Sequence, residues 1–349
     1  MYIRNKSFIL FDDAKIFDVI SNLNETGYLI CLISDSANRL LGTITDGDIR
    51  RGLLAGNTLD DLAIEIIISN PVVSYADSSD EHNNNLITQH QVKQIPIVDS
   101  KNIIQALYIL DENEHVVSKK NTILIMAGGF GKRMMPLTND IPKPMLEISG
   151  KPILEHIICN ARSQGFSSFC ISVHYLAEKI INYFEDGSKW DVTIEYINEE
   201  LPLGTAGCMS LFKNKPSDPF IVTNGDLYSD INFSAILDFH KLNNADATMG
   251  VKEQKLRNPF GIIETQGLEI IKIEEKPIHI SFVNSGIYVV NPNVLNFLES
   301  NKFKDMPDFF SDLQKKEKKI IAFPIHESWE DVGKPVDLNK ANTDHYEQK

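Results

Sequence analysis

Short apolar runs separated by polar, glycine-bearing turns organise this chain. Ile123–Met126 is one such run, and its lack of alternation predicts a strand covered on both faces, as in a parallel sheet. Ile148–Ile158 passes through a turn into an amphipathic helix, and Phe169–Val173 reads as the next buried strand. The alternation continues through Ile181–Phe184, Val192–Tyr196 and Phe220–Thr223. This predicts a doubly wound α/β region, in which ligands sit beyond the carboxyl ends of the strands.

Upstream the pattern is finer. Asp13–Leu23 has helical spacing, Tyr28–Ser34 and Leu40–Thr45 are strand-like, and Asp46 opens a helix. A related order returns from His82–His90 through Ile95–Val98 and Ile103–Leu107 to Asp111. Aligning Asp48 with Asp111 places Gly42 on Gln105 and Thr45 on Tyr108, an imperfect repeat with an offset of 63 residues. Each copy is too small to bury a good core alone. Glu112–Asn121 is polar and charged, which marks a linker. The expected division is residues 1–118, with copies at about 1–58 and 66–116, followed by 122–349.

Composition narrows the classes. The 349 residues suffice for two domains at ~100–200 residues each. Hydrophobic content of 42% and charged content of 23% suit a soluble globular protein. No run approaches the ~18 apolar residues of a membrane span. Arg4 and Lys6 lead into Phe8–Phe11 and then acids, unlike a secretory leader, so a cytoplasmic location is expected. A net charge of −14 argues against a nucleic-acid or anionic-membrane surface. An anionic substrate must then be met by a local cationic cluster plus a metal. Cys31, Cys159, Cys170 and Cys208 show no C-x-x-C and read as buried thiols. His115, His174 and His326 stand alone, and no G-x-S-x-G elbow supports a serine hydrolase.

The strongest candidate chemistry follows Met126. Gly128, Gly129 and Gly131 let the backbone turn sharply and present N–H groups to an anion. A Walker A loop would need glycine at Met126 and the dinucleotide fingerprint would need it at Met134, so this is a different phosphate loop. Lys132 and Arg133 are placed to neutralise phosphate charge as pyrophosphate leaves. Lys143 lies between Pro142 and Pro144, whose fixed φ nearly presets its backbone.

The string ILIMAGGFGKRMMPLTNDIPKPM, residues 123–145, resembles the signature AGGxGTRLxPLT…PKPM of the sugar-1-phosphate nucleotidyltransferases, the family of glucose-1-phosphate thymidylyltransferases and mannose-1-phosphate guanylyltransferases. Lys132 stands where that family usually has Thr, and Met134 where it usually has Leu. The resemblance implies a Rossmann-like (GT-A-like) α/β domain with a mixed sheet. It assigns nucleotide binding to Ala127, Gly128, Gly129, Gly131 and Lys132, and catalysis to Arg133 and Lys143.

The segment Glu199-Glu-Leu-Pro-Leu-Gly-Thr-Ala-Gly207 matches the family's base-recognition loop in the form typical of guanylyltransferases, which adds Glu200, Gly204 and Thr205. The carboxylate of Glu200 could accept from the N1–H and N2–H₂ of guanine, a pairing that uracil and thymine cannot supply. Phe220–Asp226 is an apolar strand ending in Asn-Gly-Asp, and Ser328–Asp337 resembles the family's W-x-D-x-G segment. Asp226 and Asp331 are thereby the expected Mg²⁺ ligands. Asn258–Glu264, Glu274–Pro277 and Val283–Tyr288 match the sugar-site segments, which implies sugar or sugar-phosphate contacts for Gly261, Glu275, Lys276 and Asn284.

LLGTITDGDIRRGL, residues 40–53, resembles a cystathionine-β-synthase (CBS) domain, and the two copies resemble the α+β CBS pair. That implies an adenine nucleotide near Thr45 and Asp48, and a homo-oligomer, dimeric or larger, assembled through the pair. The alternative is that Thr45 and Asp48 only end a strand and cap a helix. Domain order resembles guanylyltransferases that activate glucosamine 1-phosphate for legionaminic acid synthesis. The expected reaction is therefore GTP plus a hexose 1-phosphate giving a GDP-sugar and pyrophosphate, with glucosamine 1-phosphate as the acceptor. Mannose 1-phosphate, heptose 1-phosphate, a uridylyl- or thymidylyltransferase, and a non-catalytic CBS nucleotide sensor are the alternatives.

Overall fold

The computed structural model describes residues 1–90, 92–109 and 118–347, with 344–347 as backbone alone. Met1–His115 and Val116–Lys349 form two compact units. No described helix is long and apolar enough to cross a membrane.

In the first unit, β1 (Ile30–Ser34) and β2 (Leu40–Thr45) form an antiparallel hairpin leading into α1 (Asp46–Leu54). β3 (Gln94–Val98) and β4 (Ile104–Ile109) form a second hairpin. The two repeat each other closely. Asp35 Oδ1 accepts from the N–H groups of Ala37 and Arg39 at 2.9 Å, and Asp99 Oδ1 accepts from Lys101 at 2.8 Å and Ile103 at 2.9 Å. Asn38 and Asn102 follow with φ of 58° and 63°, in the left-handed region that asparagine tolerates. These pairs are 64 residues apart (35 to 99, 38 to 102), so the expected offset of 63 is one residue short. Strand register agrees, since Ile30 opposes Thr45 and Gln94 opposes Ile109. Thr45 thus corresponds to Ile109, not Tyr108, and Gly42 to Ala106. The expected alignment was anchored on Asp111, which lies outside the described residues.

The two turns also bond to each other, with Leu40 N–H donating to Asn102 O at 2.9 Å and Ile104 N–H to Asn38 O at 3.1 Å. This brings Leu32, Leu40, Val98 and Leu107 into one core, so neither hairpin buries its apolar face alone.

The second unit is built on a seven-stranded sheet. Its strands are β5 (Ile123–Met126), β6 (Ser168–Val173), β7 (Thr193–Asn198), β8 (Phe220–Asn224), β10 (Ala247–Arg257), β13 (Ile278–Val290) and β14 (Ile320–Ile325). The order across the sheet is β7-β6-β5-β8-β13-β10-β14. The first four are mutually parallel, β13 runs antiparallel to both its neighbours, and β14 is parallel to β10. This is the expected mixed α/β sheet. Outside it, β9 (Leu227–Ser229) pairs with β15 (Trp329–Asp331), and β11 (Ile262–Gln266) with β12 (Glu269–Glu274).

Sequence pattern explains why β5 is central. Ile123 and Ile125 belong to one hydrophobic core and Leu124 to the other, as alternate faces of a strand require. Ile221 and Val222 divide in the same way on β8. Each fully buried side chain of this kind contributes ~1.5–3 kcal/mol. Helices Ile153–Ser163 (α2) and Phe233–Leu242 (α3) supply buried residues to the first core, and Met306–Lys315 (α4) to the second. Asn224 stands level with Met126 in the ladder, so β5 and β8 release their following loops side by side.

Candidate active site

The glycine loop leaves β5 pinned at its start, where Ala127 N–H donates to Ser172 O at 2.8 Å. A Cβ on Gly128 would lie 3.2 Å from Glu199 Oε1 and 3.3 Å from His174 Cβ, so the loop passes tightly over both. Gly131 has a φ of +61°, and a Cβ there would meet Thr138 and Lys143. Lys132–Met134 then makes a single 3₁₀ turn that buries Met134 completely. The departure from Leu at that position is a volume-conserving apolar change. Lys132 remains exposed, its ammonium 5.5 Å from the Phe130 ring.

Lys143, only 7% exposed, follows Pro142 in a 3₁₀ turn. Its ammonium is ion-paired with Asp226 Oδ2 and lies 3.8 Å from Asp331 Oδ1. Asp226 is delivered by the tight connection from β8 to β9, and Asp331 by the antiparallel pairing of β9 with β15, in which Leu227 opposes Asp331. Val332 N–H reaches Asp226 O at 3.3 Å, which ties the two acid-bearing segments together. Burial, and then the Asp226 charge, push the Asp331 carboxyl above the usual carboxylate range, while Lys143 and Arg133 oppose the shift.

Two carboxylates already converge on one cation. That oxygen-only pair fits Mg²⁺, which commonly takes one or two protein carboxylates and completes its shell with phosphates and water. Among the described residues no group of three or more His, Cys, Asp or Glu could hold a metal. Substrate oxygens would therefore have to complete the shell.

The base-loop segment is shaped by packing. Gly204 has a φ of +75°, and a Cβ there would sit 2.7 Å from Lys304 O; one on Gly207 would sit 2.6 Å from Lys302 O. Its glycines are thus required by close approach to the 302–304 backbone. Thr205 Oγ1 accepts from Met306 N–H at 2.7 Å and donates to Asp305 Oδ1 at 3.3 Å, which caps α4.

These elements enclose a cavity of about 440 Å³. It is lined by Ala127, Gly128, Gly129, Gly131, Lys132, Arg133, Lys143, Gly204, Thr205 and Asp226 of the expected set. Asp331 joins through Lys143. Glu200 is exposed and does not line the cavity, whereas its neighbour Glu199 does. The Glu199 carboxylate accepts from Ser172 Oγ at 2.5 Å and from Leu203 N–H at 2.8 Å, so it is held in place. The Glu-Glu pair signalled an acid here but gave no means of choosing which one turns inward. Asn224 was also missed; it lines the cavity and packs its side chain against Gly286.

The expected sugar-phosphate residues lie outside this lining. Gly261 and Glu275 are neighbours, a Cβ on the former falling 2.9 Å from Glu275 Oε2. Lys276 adjoins them with a φ of +48°. Asn284 donates to Tyr288 OH at 2.8 Å and accepts from Gly286 N–H at 3.0 Å. In the first unit, Asp48 Oδ2 accepts from Thr45 N–H at 2.8 Å and from Thr45 Oγ1 at 2.6 Å, and Asp48 Oδ1 pairs with Arg51. Both therefore serve the start of α1.

Comparison with known proteins bears on the second unit. Residues 122–348 match the family described as Nucleotidyl transferase. The mannose-1-phosphate guanyltransferase of Yarrowia lipolytica is 33% identical over 223 residues, covering 62% of this chain and 61% of the relative. The enzyme of the same name from Candida albicans is 31% identical over 225 residues, covering 62% of each. The chain thus spans about 61–62% of the length of these relatives. The crystal structure of HddC from Yersinia pseudotuberculosis superposes with a TM-score of 0.51 at 26% identity, covering 64% of this chain and 99% of HddC. HddC has also been solved in complex with GMP-PN.

Proposed function

Because the chain belongs to the Nucleotidyl transferase family, we propose that it transfers a guanylyl group from GTP to a hexose 1-phosphate, releasing pyrophosphate and forming a GDP-sugar. The observation that carries this reading is the cavity in which the glycine loop, the Lys143–Asp226 pair and the Glu199 carboxylate meet. Glu199 offers acceptor oxygens to the N1–H and N2–H₂ of guanine, an edge that uracil and thymine lack. The names of the relatives and the GMP-PN complex of HddC support the same base.

The relatives' names also support mannose 1-phosphate as the acceptor. Glucosamine 1-phosphate and legionaminic acid synthesis, expected from domain order, have no counterpart among these relatives, and the acceptor reading gives way accordingly.

In the reaction, an oxygen of the sugar phosphate attacks the α-phosphorus in line, and the bond to the β-phosphate oxygen breaks as the new O–P bond forms. Glycine-loop N–H groups hold the nucleotide phosphates, and Arg133 with Lys132 receives the charge of the departing pyrophosphate. Lys143 orients the attacking phosphate, and its fixed backbone limits the entropy lost in doing so. Asp226 and Asp331 would hold Mg²⁺, which when bound would supply charge neutralisation at the phosphates. Gly261, Glu275, Lys276 and Asn284 are the proposed sugar side of the site.

For the first unit, the paired hairpins support a CBS pair acting as a regulatory or dimerising part. Titration with adenine nucleotides by calorimetry tests whether it also binds a ligand. Thr45 and Asp48 already satisfy each other, which supports the capping role.

The test is product identification. With Mg²⁺, GTP and mannose 1-phosphate, chromatography should show GDP-mannose and pyrophosphate in equal amounts. Product from glucosamine 1-phosphate alone would reverse the acceptor, and product from UTP but not GTP would overturn the base reading.

A further inference from the structure

Beyond the cavity, the second unit carries an arm formed by the outer halves of β10 and β13 and the β11–β12 ribbon between them. Along it, Ile263, Ile271, Ile273, Ile278, Ile280 and Phe282 are exposed, Ile271 by 58% and Ile273 by 66%. The apolar residues share faces by register. Ile263 opposes Ile273 and Thr265 opposes Ile270, so Ile273 and Ile270 share one face of β12 while Ile271 occupies the bulge between them, and Ile278, Ile280 and Phe282 follow one another on a single face of β13.

With the arm's other exposed apolar side chains, this leaves on the order of 500 Å² of apolar side-chain surface, at ~100 Å² per fully exposed side chain. That is near the upper end of the ~300–600 Å² largest patch of a typical monomer. With a polar rim it approaches the ~800 Å² per partner of a stable interface. β11 and β12 pair only with each other among the described residues. An isolated two-stranded ribbon is marginal in water, so this one gains from a surface to pack against.

Charge selects the occupant. Residues 252–282 carry five basic and five acidic side chains, a net charge of zero on a chain of −14. Several of these already pair within the arm, as Lys272 does with Glu274 and Lys255 with Glu253. Two copies can therefore approach arm to arm without the repulsion that their overall charges would impose. A partner recruited by charge would instead call for a patch of one sign.

The geometry points to the arm as a self-association surface, at which a second copy of this chain covers the isoleucine-rich faces of β12 and β13. The same arm bears Gly261, Glu275 and Lys276, so its order in the dimer also orders those residues.

The test uses the full-length protein. Mass photometry should give an even-numbered assembly of the 39.4 kDa chain, and the double substitution Ile271→Glu, Ile273→Glu should halve its mass. Because a charge pair could also disturb the ribbon, Ile271→Cys provides a second readout. A short bis-maleimide should join it into a covalent dimer, while Leu242→Cys, 74% exposed outside the arm, should stay uncoupled. A monomeric wild type, an assembly whose mass survives the double substitution, or equal coupling at both cysteines overturns the proposal. None of these readouts depends on the chemistry of the cavity.

Discussion

Lys143 and Asp226, 83 residues apart in sequence, form an ion pair at the carboxyl ends of neighbouring parallel strands. The pair places a cation where two carboxylates meet, since Asp331 lies 3.8 Å from the same ammonium. Asp226→Asn keeps the shape but removes the charge, so the folded protein should lose at least ~10²-fold in kcat. The metal-free protein should also lose about 1–3 kcal/mol of stability, the contribution of a hydrogen bond to a charged partner. Pyrophosphate release and denaturant melts measure the two effects; wild-type turnover in the variant would remove Asp226 from the chemistry.

Glu199 is the acid that faces the cavity. Glu199→Gln replaces one acceptor oxygen with a donor while preserving volume. Because a mispaired polar group costs ~1–3 kcal/mol, kcat/KM for GTP should fall about 10–100-fold. Glu200→Gln, on the exposed neighbour, should leave it unchanged. Steady-state kinetics on the two variants decide between them, and the reverse pattern would return the role to Glu200.

Gly204 is held at a φ of +75° with Lys304 O 2.7 Å from where a Cβ would be. Gly204→Ala therefore combines backbone strain with a backbone clash, and should cost ~2–4 kcal/mol. Gly129→Ala, where a Cβ meets nothing within 4 Å, should leave stability within about 0.5 kcal/mol of wild type. Chemical denaturation of both variants makes the comparison.

His240 is buried beside Thr248 Oγ1 at 2.8 Å, and burial lowers its pKa to about 4. The folded protein keeps it neutral while the unfolded chain protonates it below pH ~6.5, so stability is lost as pH falls from ~6.5 towards ~4. The contribution is about 3 kcal/mol across that window. His240→Gln should be less stable than wild type at pH 7, and the gap should narrow by about that amount by pH 4. A gap independent of pH would show that His240 does not titrate in this window.

The glycine loop and the two acids that meet Lys143 were legible because they are local strings whose spacing states the geometry. β5 and β8 announced themselves by apolar runs with both faces buried. The inward acid was not legible, because Glu199 and Glu200 differ only in which side of the chain bends towards Ser172 and Leu203. Nor was the repeat offset, since Asp35 and Asp99 define it through backbone turns while the more conspicuous Asp48 and Asp111 do not. The 204–207 glycines were expected only as part of a base-recognition loop; their close approach to the 302–304 backbone, about 100 residues away, is a contact that no local pattern records.

The most direct measurement of the central claim is kcat/KM for GTP, UTP and dTTP with mannose 1-phosphate and Mg²⁺, read as pyrophosphate release. A base edge read by a fixed carboxylate should favour GTP by at least ~100-fold. Equal turnover of the three nucleotides, preference for UTP or dTTP, or no release with any of them would contradict the account.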